Sequence, residues 1–88
     1  MFKAKYIVID VYGSRAELPV VFSELQKHAD IANSFDHVGK VISAGFVQIS
    51  SDGYYQCYGD SYSLGIGSRD NDSKLLNKML GGNTNGKN

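Results

Sequence analysis

From Lys3 to Tyr12, apolar and aromatic side chains alternate along the chain, with bulk on both sides of the alternation. The pattern predicts a strand with Ile7, Ile9 and Val11 on one face and Tyr6, Val8, Asp10 and Tyr12 on the other. A strand that is bulky on both faces belongs in the interior of a sheet, and such a sheet has two faces to keep from water. That demand falls on a chain of only 88 residues. A domain of this size buries about 60–65% of its unfolded surface. Its one cysteine, Cys57, excludes an internal disulfide and a multi-thiolate zinc site.

The other elements follow from punctuation and period. Gly13-Ser14-Arg15 breaks the first strand. Val20 to Phe22 predicts a short second strand, and Pro19, which lacks an N–H, suits its first position or a sheet edge. Ser23 to Phe35 predicts a helix. Ser23 and Gln26 match a capping box, with Phe22 just before the cap. Leu25, His28, Ala29, Ile31, Ala32 and Phe35 share one helical arc, and the regular helix can begin as late as His28 after a loose turn. Val41 to Ser51 predicts a strand with Val41, Gly45, Val47 and Ile49 on one face and Ile42, Ala44 and Phe46 on the other. Ser43, Ala44 and Gly45 are small enough to admit close approach by another element. Asp52-Gly53 signals a hairpin, and Tyr54 to Ile66 returns as a long strand with a bulge or bend at Gly59-Asp60. Asp70 to Leu80 predicts a second helix, capped by Asp70 or Asp72, with Leu75, Leu76, Met79 and Leu80 on its apolar side. Lys78 near its end and Gly81 at its stop fit the helix C-terminus.

The order β-β-α-β-β-α predicts an α+β fold: an antiparallel sheet of about four strands with two short helices, both on one face. Residues 1–80 form one domain, and 81–88, which hold no large apolar residue, form a flexible tail. In this arrangement the second sheet face is left for solvent, another subunit or a partner.

Nine basic residues balance nine acidic ones, and neither half of the chain is basic. That excludes the electrostatic footprint of a duplex-nucleic-acid binder and leaves self-association unopposed by charge. No apolar run is long enough for a membrane helix, and the first residues lack a signal-peptide core. The expected location is the cytoplasm, with Cys57 reduced.

The segment Tyr54-Tyr55-Gln56-Cys57-Tyr58-Gly59-Asp60-Ser61-Tyr62 holds four of the six tyrosines. Tyrosine combines large contact area, low rotamer cost and a polar tip, which suits an interface. On an unbroken strand Tyr54, Tyr58 and Tyr62 point to one side, and a bulge would break that row. The same row suits stacking of single-stranded bases, a reading that needs cations nearby, where Lys40 and Arg69 are few. Arg69 follows Gly65-Ile66-Gly67-Ser68, a strand-to-helix turn with weak anion-binding capacity. Nothing local activates Cys57 as a nucleophile, and neither His28 nor His37 has the spacing of a helical metal pair. His28 on the apolar arc reads as a partly buried histidine hydrogen-bonded to a neighbouring element. Asp70-Asn71-Asp72 lacks the glycine and distal glutamate of a calcium loop. No cofactor, metal or catalytic residue is expected.

Pro19-Val20-Val21-Phe22, His28-Ala29-Asp30-Ile31-Ala32, Val41-Ile42-Ser43-Ala44-Gly45-Phe46 and Ser68-Arg69-Asp70-Asn71-Asp72-Ser73 together cover under half the chain. In these stretches and in its layout the chain resembles small orphan proteins encoded by bacteriophages and prophages. The resemblance transfers no functional residue. It implies action by binding: blocking a host enzyme, countering a defence system or regulating assembly. The expected function is therefore a non-enzymatic protein-binding module that self-associates as a homodimer or larger oligomer. Its interaction residues are Tyr54, Tyr55, Tyr58, Tyr62 and Arg69. The alternatives are a single-stranded nucleic-acid binder, or a metabolite-binding protein or enzyme with its site at a subunit interface, drawing on His28 or Cys57.

Overall fold

A computed structural model of the chain describes residues 2–81. The tail expected beyond Gly81 lies outside the described residues. Strands β1 (Phe2–Val11), β2 (Glu17–Phe22), β3 (Gly39–Ile49) and β4 (Tyr55–Tyr58) form an antiparallel sheet in the order β2-β1-β3-β4. Helix α1 (His28–Ser34) lies between β2 and β3 in the chain, and α2 (Asp72–Leu80) closes it. Two short strands, β5 (Asp60–Ser61) and β6 (Ile66–Gly67), pair as a separate hairpin. The fold is thus a small α+β domain with a four-stranded antiparallel sheet and two helices.

The helices take opposite faces of the sheet rather than sharing one. Ala4, Tyr6 and Val8 of β1 join Val47 and Leu76 of α2 in one buried cluster. Ile7, Ile9 and Ala44 form the other, packed against Ile31 of α1, Phe35 just after it, and Leu64 and Ile66 from the β5–β6 hairpin. The period-2 bulk of β1 therefore feeds two cores, and no bare sheet face remains. What made this affordable is the fate of residues 54–66, which do not run as one long strand. Gly59 adopts φ +76°, a conformation that costs glycine little, and turns the chain away from the sheet after Tyr58. The hairpin that follows supplies the extra cover on the second face.

A bulge in β3 sorts its side chains. Val8 pairs with Ser43 but Ile9 pairs with Val41, so Ile42 is the extra residue. Beyond it the alternation changes phase. Val41 consequently packs in the cluster of Ala44, while Ile42 packs in that of Val47, the reverse of what strict alternation assigns. The β3–β4 turn is as expected, with Gly53 at φ +86° and Ser50 closing the hairpin by accepting from Gly53 and donating to Tyr54 through its backbone.

Helix α1 starts late. The Ser23 hydroxyl accepts from the Leu25 N–H at 3.1 Å and its carbonyl from the Gln26 N–H at 3.0 Å, so a local turn takes the place of the capping box. Leu25 is 92% exposed, outside the arc assigned to it.

Both sheet edges are occupied or blunted. On the outer side of β4, Asn77 of α2 imitates a neighbouring strand. Its Oδ1 accepts from the Tyr55 N–H and its Nδ2 donates to the Tyr55 carbonyl, each at 2.8 Å. Ser73, one turn earlier, accepts the Cys57 N–H at 2.8 Å. On the opposite edge, Val11 donates to the Ala16 carbonyl. Alternation along that ladder makes Val8–Pro19 a pair without mutual hydrogen bonds. The missing N–H of Pro19 therefore faces outward.

Candidate functional site

Two groups of polar side chains are assembled from distant parts of the chain. The first is internal. Asp72, at the start of α2, is fully buried. It does not cap its helix; its carboxylate turns inward and accepts from the Tyr6 hydroxyl at 2.5 Å, from the Arg69 N–H at 2.9 Å and from Arg69 Nε at 2.9 Å. Arg69 Nη2 also donates to Glu17 at 2.9 Å, tying α2 to β2. Burial alone would push the Asp72 carboxyl up. The Arg69 N–H, the Tyr6 hydroxyl and the Arg69 guanidinium outweigh it and hold the group below its ordinary value. Burial first, and then the bond to Asp72, push the Tyr6 phenol well up. Glu17 first, with Asp72, keeps Arg69 charged. This is a structural tie, and it engages Arg69, one of the residues expected from the sequence to contact a partner.

The second group faces solvent. His28, the first residue of α1, is buried at 4% exposure and its Nε2 lies 2.8 Å from the Gly45 carbonyl. A carbonyl only accepts, so Nε2 carries the proton. The His28 ring stands edge-on between Phe22 and Phe46, with centroids at 5.6 and 5.8 Å, and Phe46 stacks on Tyr58 at 5.9 Å. Above this aromatic cluster lies an open cleft of about 340 Å³ lined by Lys5, Lys27, His28, Phe46, Asp60, Tyr62 and Ser63. Lys5 Nζ donates to the Gln26 carbonyl at 2.7 Å, which fixes the ammonium at the cleft wall. Tyr62 is fully exposed, and Asp60 and Tyr62 also line a neighbouring depression with Ser61, Gly65, Ile66 and Gly67. The turn that carries Tyr62 is held by Gly65 N–H to the Ser61 carbonyl at 2.9 Å and Leu64 N–H to the Ser61 hydroxyl at 3.2 Å.

The tyrosine row is broken where the sequence admitted a break, at Gly59. Tyr58 and Tyr62 reach the cleft region by different elements, and Tyr54 is exposed before β4 begins. Tyr55 points the other way and packs half-buried against the Tyr6–Leu76 cluster. Lys5, Lys27 and Phe46 were not singled out from the sequence. Only the β1–β3 register, which sets Lys5 opposite Phe46, and the late start of α1 bring them to one place.

Cys57 and His28 do not meet. Cys57 packs with the Tyr6 cluster on one face, and His28 sits with Phe46 beside the other. Burial, partly offset by Ser73, pushes the Cys57 thiol up to about 11, so it is protonated at neutral pH. Burial chiefly, with Lys5, holds His28 below its ordinary value of 6.5 despite the Gly45 carbonyl. The unfolded chain therefore takes up the proton first on acidification. The stability His28 contributes is complete above about pH 6.5 and is lost as pH falls from there through the folded value. His28→Gln should flatten the pH dependence of the urea midpoint just below about pH 6.5, leaving a second loss below about pH 4 that belongs to carboxylates such as Asp72.

Among the described residues, no group of three or more His, Cys, Asp or Glu side chains is placed to hold a metal ion, and no helix is long and apolar enough to cross a membrane. Comparison with protein-family models, curated proteins and solved structures gave no match.

Proposed function

We propose that this chain is a non-enzymatic protein-binding module whose contact surface is the aromatic rim formed by Tyr58 and Tyr62 over Phe46. The observation that carries the reading is Tyr62. It projects fully into solvent from a hydrogen-bonded turn on the cleft that Phe46 also lines, and Tyr58, partly exposed, stacks on Phe46. A tyrosine side chain has few rotamers to lose on binding and offers a large area to a partner. With both sheet faces covered and both edges occupied or blunted, contact by side chains is the route left open. The separation of Cys57 from His28 supports the non-enzymatic part of the reading. The zero net charge allows the same rim to join two copies of the chain.

The test is affinity capture on the intact chain, comparing wild type with the double variant Tyr58→Ser, Tyr62→Ser. The expected result is a stoichiometric protein retained by the wild type and lost by the variant. The variant should remain folded, with an unfolding free energy lower by about 1–2 kcal/mol for the lost Tyr58–Phe46 stack. Equal capture by both chains, or none by either together with monomeric sedimentation of the wild type, would sink the reading.

A further inference from the structure

The cleft beside the aromatic rim carries chemistry that a protein contact alone does not need. It is lined by two lysines, Lys5 and Lys27, by Phe46 and His28, and by Asp60, Tyr62 and Ser63 from the hairpin side. We propose that this cleft binds one nucleotide, with the base against the aromatic rings and the phosphate on Lys5 and Lys27.

Each part of such a ligand has a counterpart. A base has an apolar, polarisable face, which stacks on Phe46 or Tyr62 whatever its sequence identity. A phosphate monoester or diester carries negative charge and acceptor oxygens. Lys5 uses one of its three protons on the Gln26 carbonyl at 2.7 Å, which leaves two for an acceptor in the cleft. That bond also orders the side chain in advance, so less freedom is lost when an anion arrives. Asp60 would repel a phosphate placed beside it. This sets the orientation: the phosphate lies at the lysine wall and the sugar hydroxyls at Asp60, an acceptor for them, with Ser63 able to donate or accept. His28 is held neutral with its Nε2 proton committed to Gly45, so it backs the floor and adds no charge. The volume of about 340 Å³ lies near the lower end of ligand pockets and suits one nucleotide, not a tract. Near the tyrosines in sequence, cations for a stacked strand are few. The fold supplies them from Lys5 and Lys27, more than thirty positions before Tyr62.

The ligand chemistry, one base and one phosphate, has two sources: a free mononucleotide or a nucleotide within a single strand. Titrating the intact, isotope-labelled chain with AMP, a short oligothymidylate, adenosine and inorganic phosphate, each at low salt, separates them by amide NMR shifts. The expected result is saturable shifts at Lys5, Lys27, Phe46 and Tyr62 with AMP, the oligonucleotide or both. AMP alone identifies a free nucleotide; the oligonucleotide alone identifies a strand. Lys5→Ala and Lys27→Ala should each weaken the binding roughly tenfold, the value of a lost charge-assisted hydrogen bond. For the strand, the slope of log K against log salt should be no steeper than about −0.7, the value for one neutralised phosphate. Lys27→Glu, at an exposed position, gives the same reading if Lys5→Ala does not fold. No shifts with either nucleotide, shifts with inorganic phosphate equal to those with AMP, or binding indifferent to both lysines would overturn the assignment. So would phosphotyrosine matching AMP in competition, which would make the cleft a reader of modified proteins instead.

Discussion

Asp72→Ala should lower the unfolding free energy by about 3–5 kcal/mol, the usual cost of removing one partner from a buried ion pair. The carboxylate is fully buried and satisfies the Tyr6 hydroxyl, the Arg69 N–H and Arg69 Nε together. Without it, a buried phenol loses its partner and Arg69 keeps only Glu17, on a half-exposed surface. Small domains have about 5 kcal/mol or little more in total, so the variant should be largely unfolded at physiological temperature. Urea denaturation followed by circular dichroism measures this directly. Tyr6→Phe tests the same tie more gently. It keeps the ring and the charge pair, and should cost about 1–3 kcal/mol. If Asp72→Ala left the midpoint unchanged, the cluster would not be holding α2 and β2 to the sheet.

The second large effect is expected at Leu76, the fully buried residue by which α2 enters the Tyr6 cluster. Leu76→Ala should cost about 2–5 kcal/mol, from lost burial and the cavity left behind. Its signature is local as well as global. Leu76 is flanked on its helix by Ser73 and Asn77, the residues that bond to β4. Loosening α2 should therefore speed hydrogen exchange at the Tyr55 and Cys57 amides more than at Ile7 or Ile9, which pack on the other face. Leu80→Ala, at a position 39% exposed, should cost clearly less. Equal exchange acceleration on both faces would mean that the two cores open as one unit.

The elements were legible where the signal was local. The alternation in β1, the Asp52-Gly53 turn and the break at Gly59-Asp60 all lie within short windows. The apolar side expected of α2 is present only at Leu75 and Leu76, because Met79 and Leu80 are exposed while Asp72, Ser73 and Asn77 turn toward the sheet. Which face each helix covers was not legible. It depends on the bulge at Ile42 and on the β5–β6 hairpin, and neither leaves a periodic trace. The same limit applied to the cleft. His28 read correctly as a buried histidine bonded to a neighbouring element, because its apolar surroundings on the helix are local. Lys5 looked like an ordinary solvated residue at the start of a strand. Only pairing it with Phe22 on one side and Phe46 on the other gives it aromatic neighbours. Arg69 presents the reverse case. It stands near an anion-friendly turn in sequence, but Glu17, 52 positions away, claims it.

The Asn77 bond pair on β4 and the outward nitrogen of Pro19 on β2 bear on what happens when many copies crowd together. A chain with nine charges of each sign has little electrostatic repulsion to keep copies apart. Its strands are rich in the β-branched and aromatic residues that favour fibril growth. Growth by strand addition needs an unpaired run of backbone donors and acceptors to serve as a template. Here one end of the sheet has that run filled by a helix side chain, and the other has it interrupted by a proline. Protection against runaway aggregation is thus built from geometry where charge offers none, and it resides in a few side chains that a single substitution can remove.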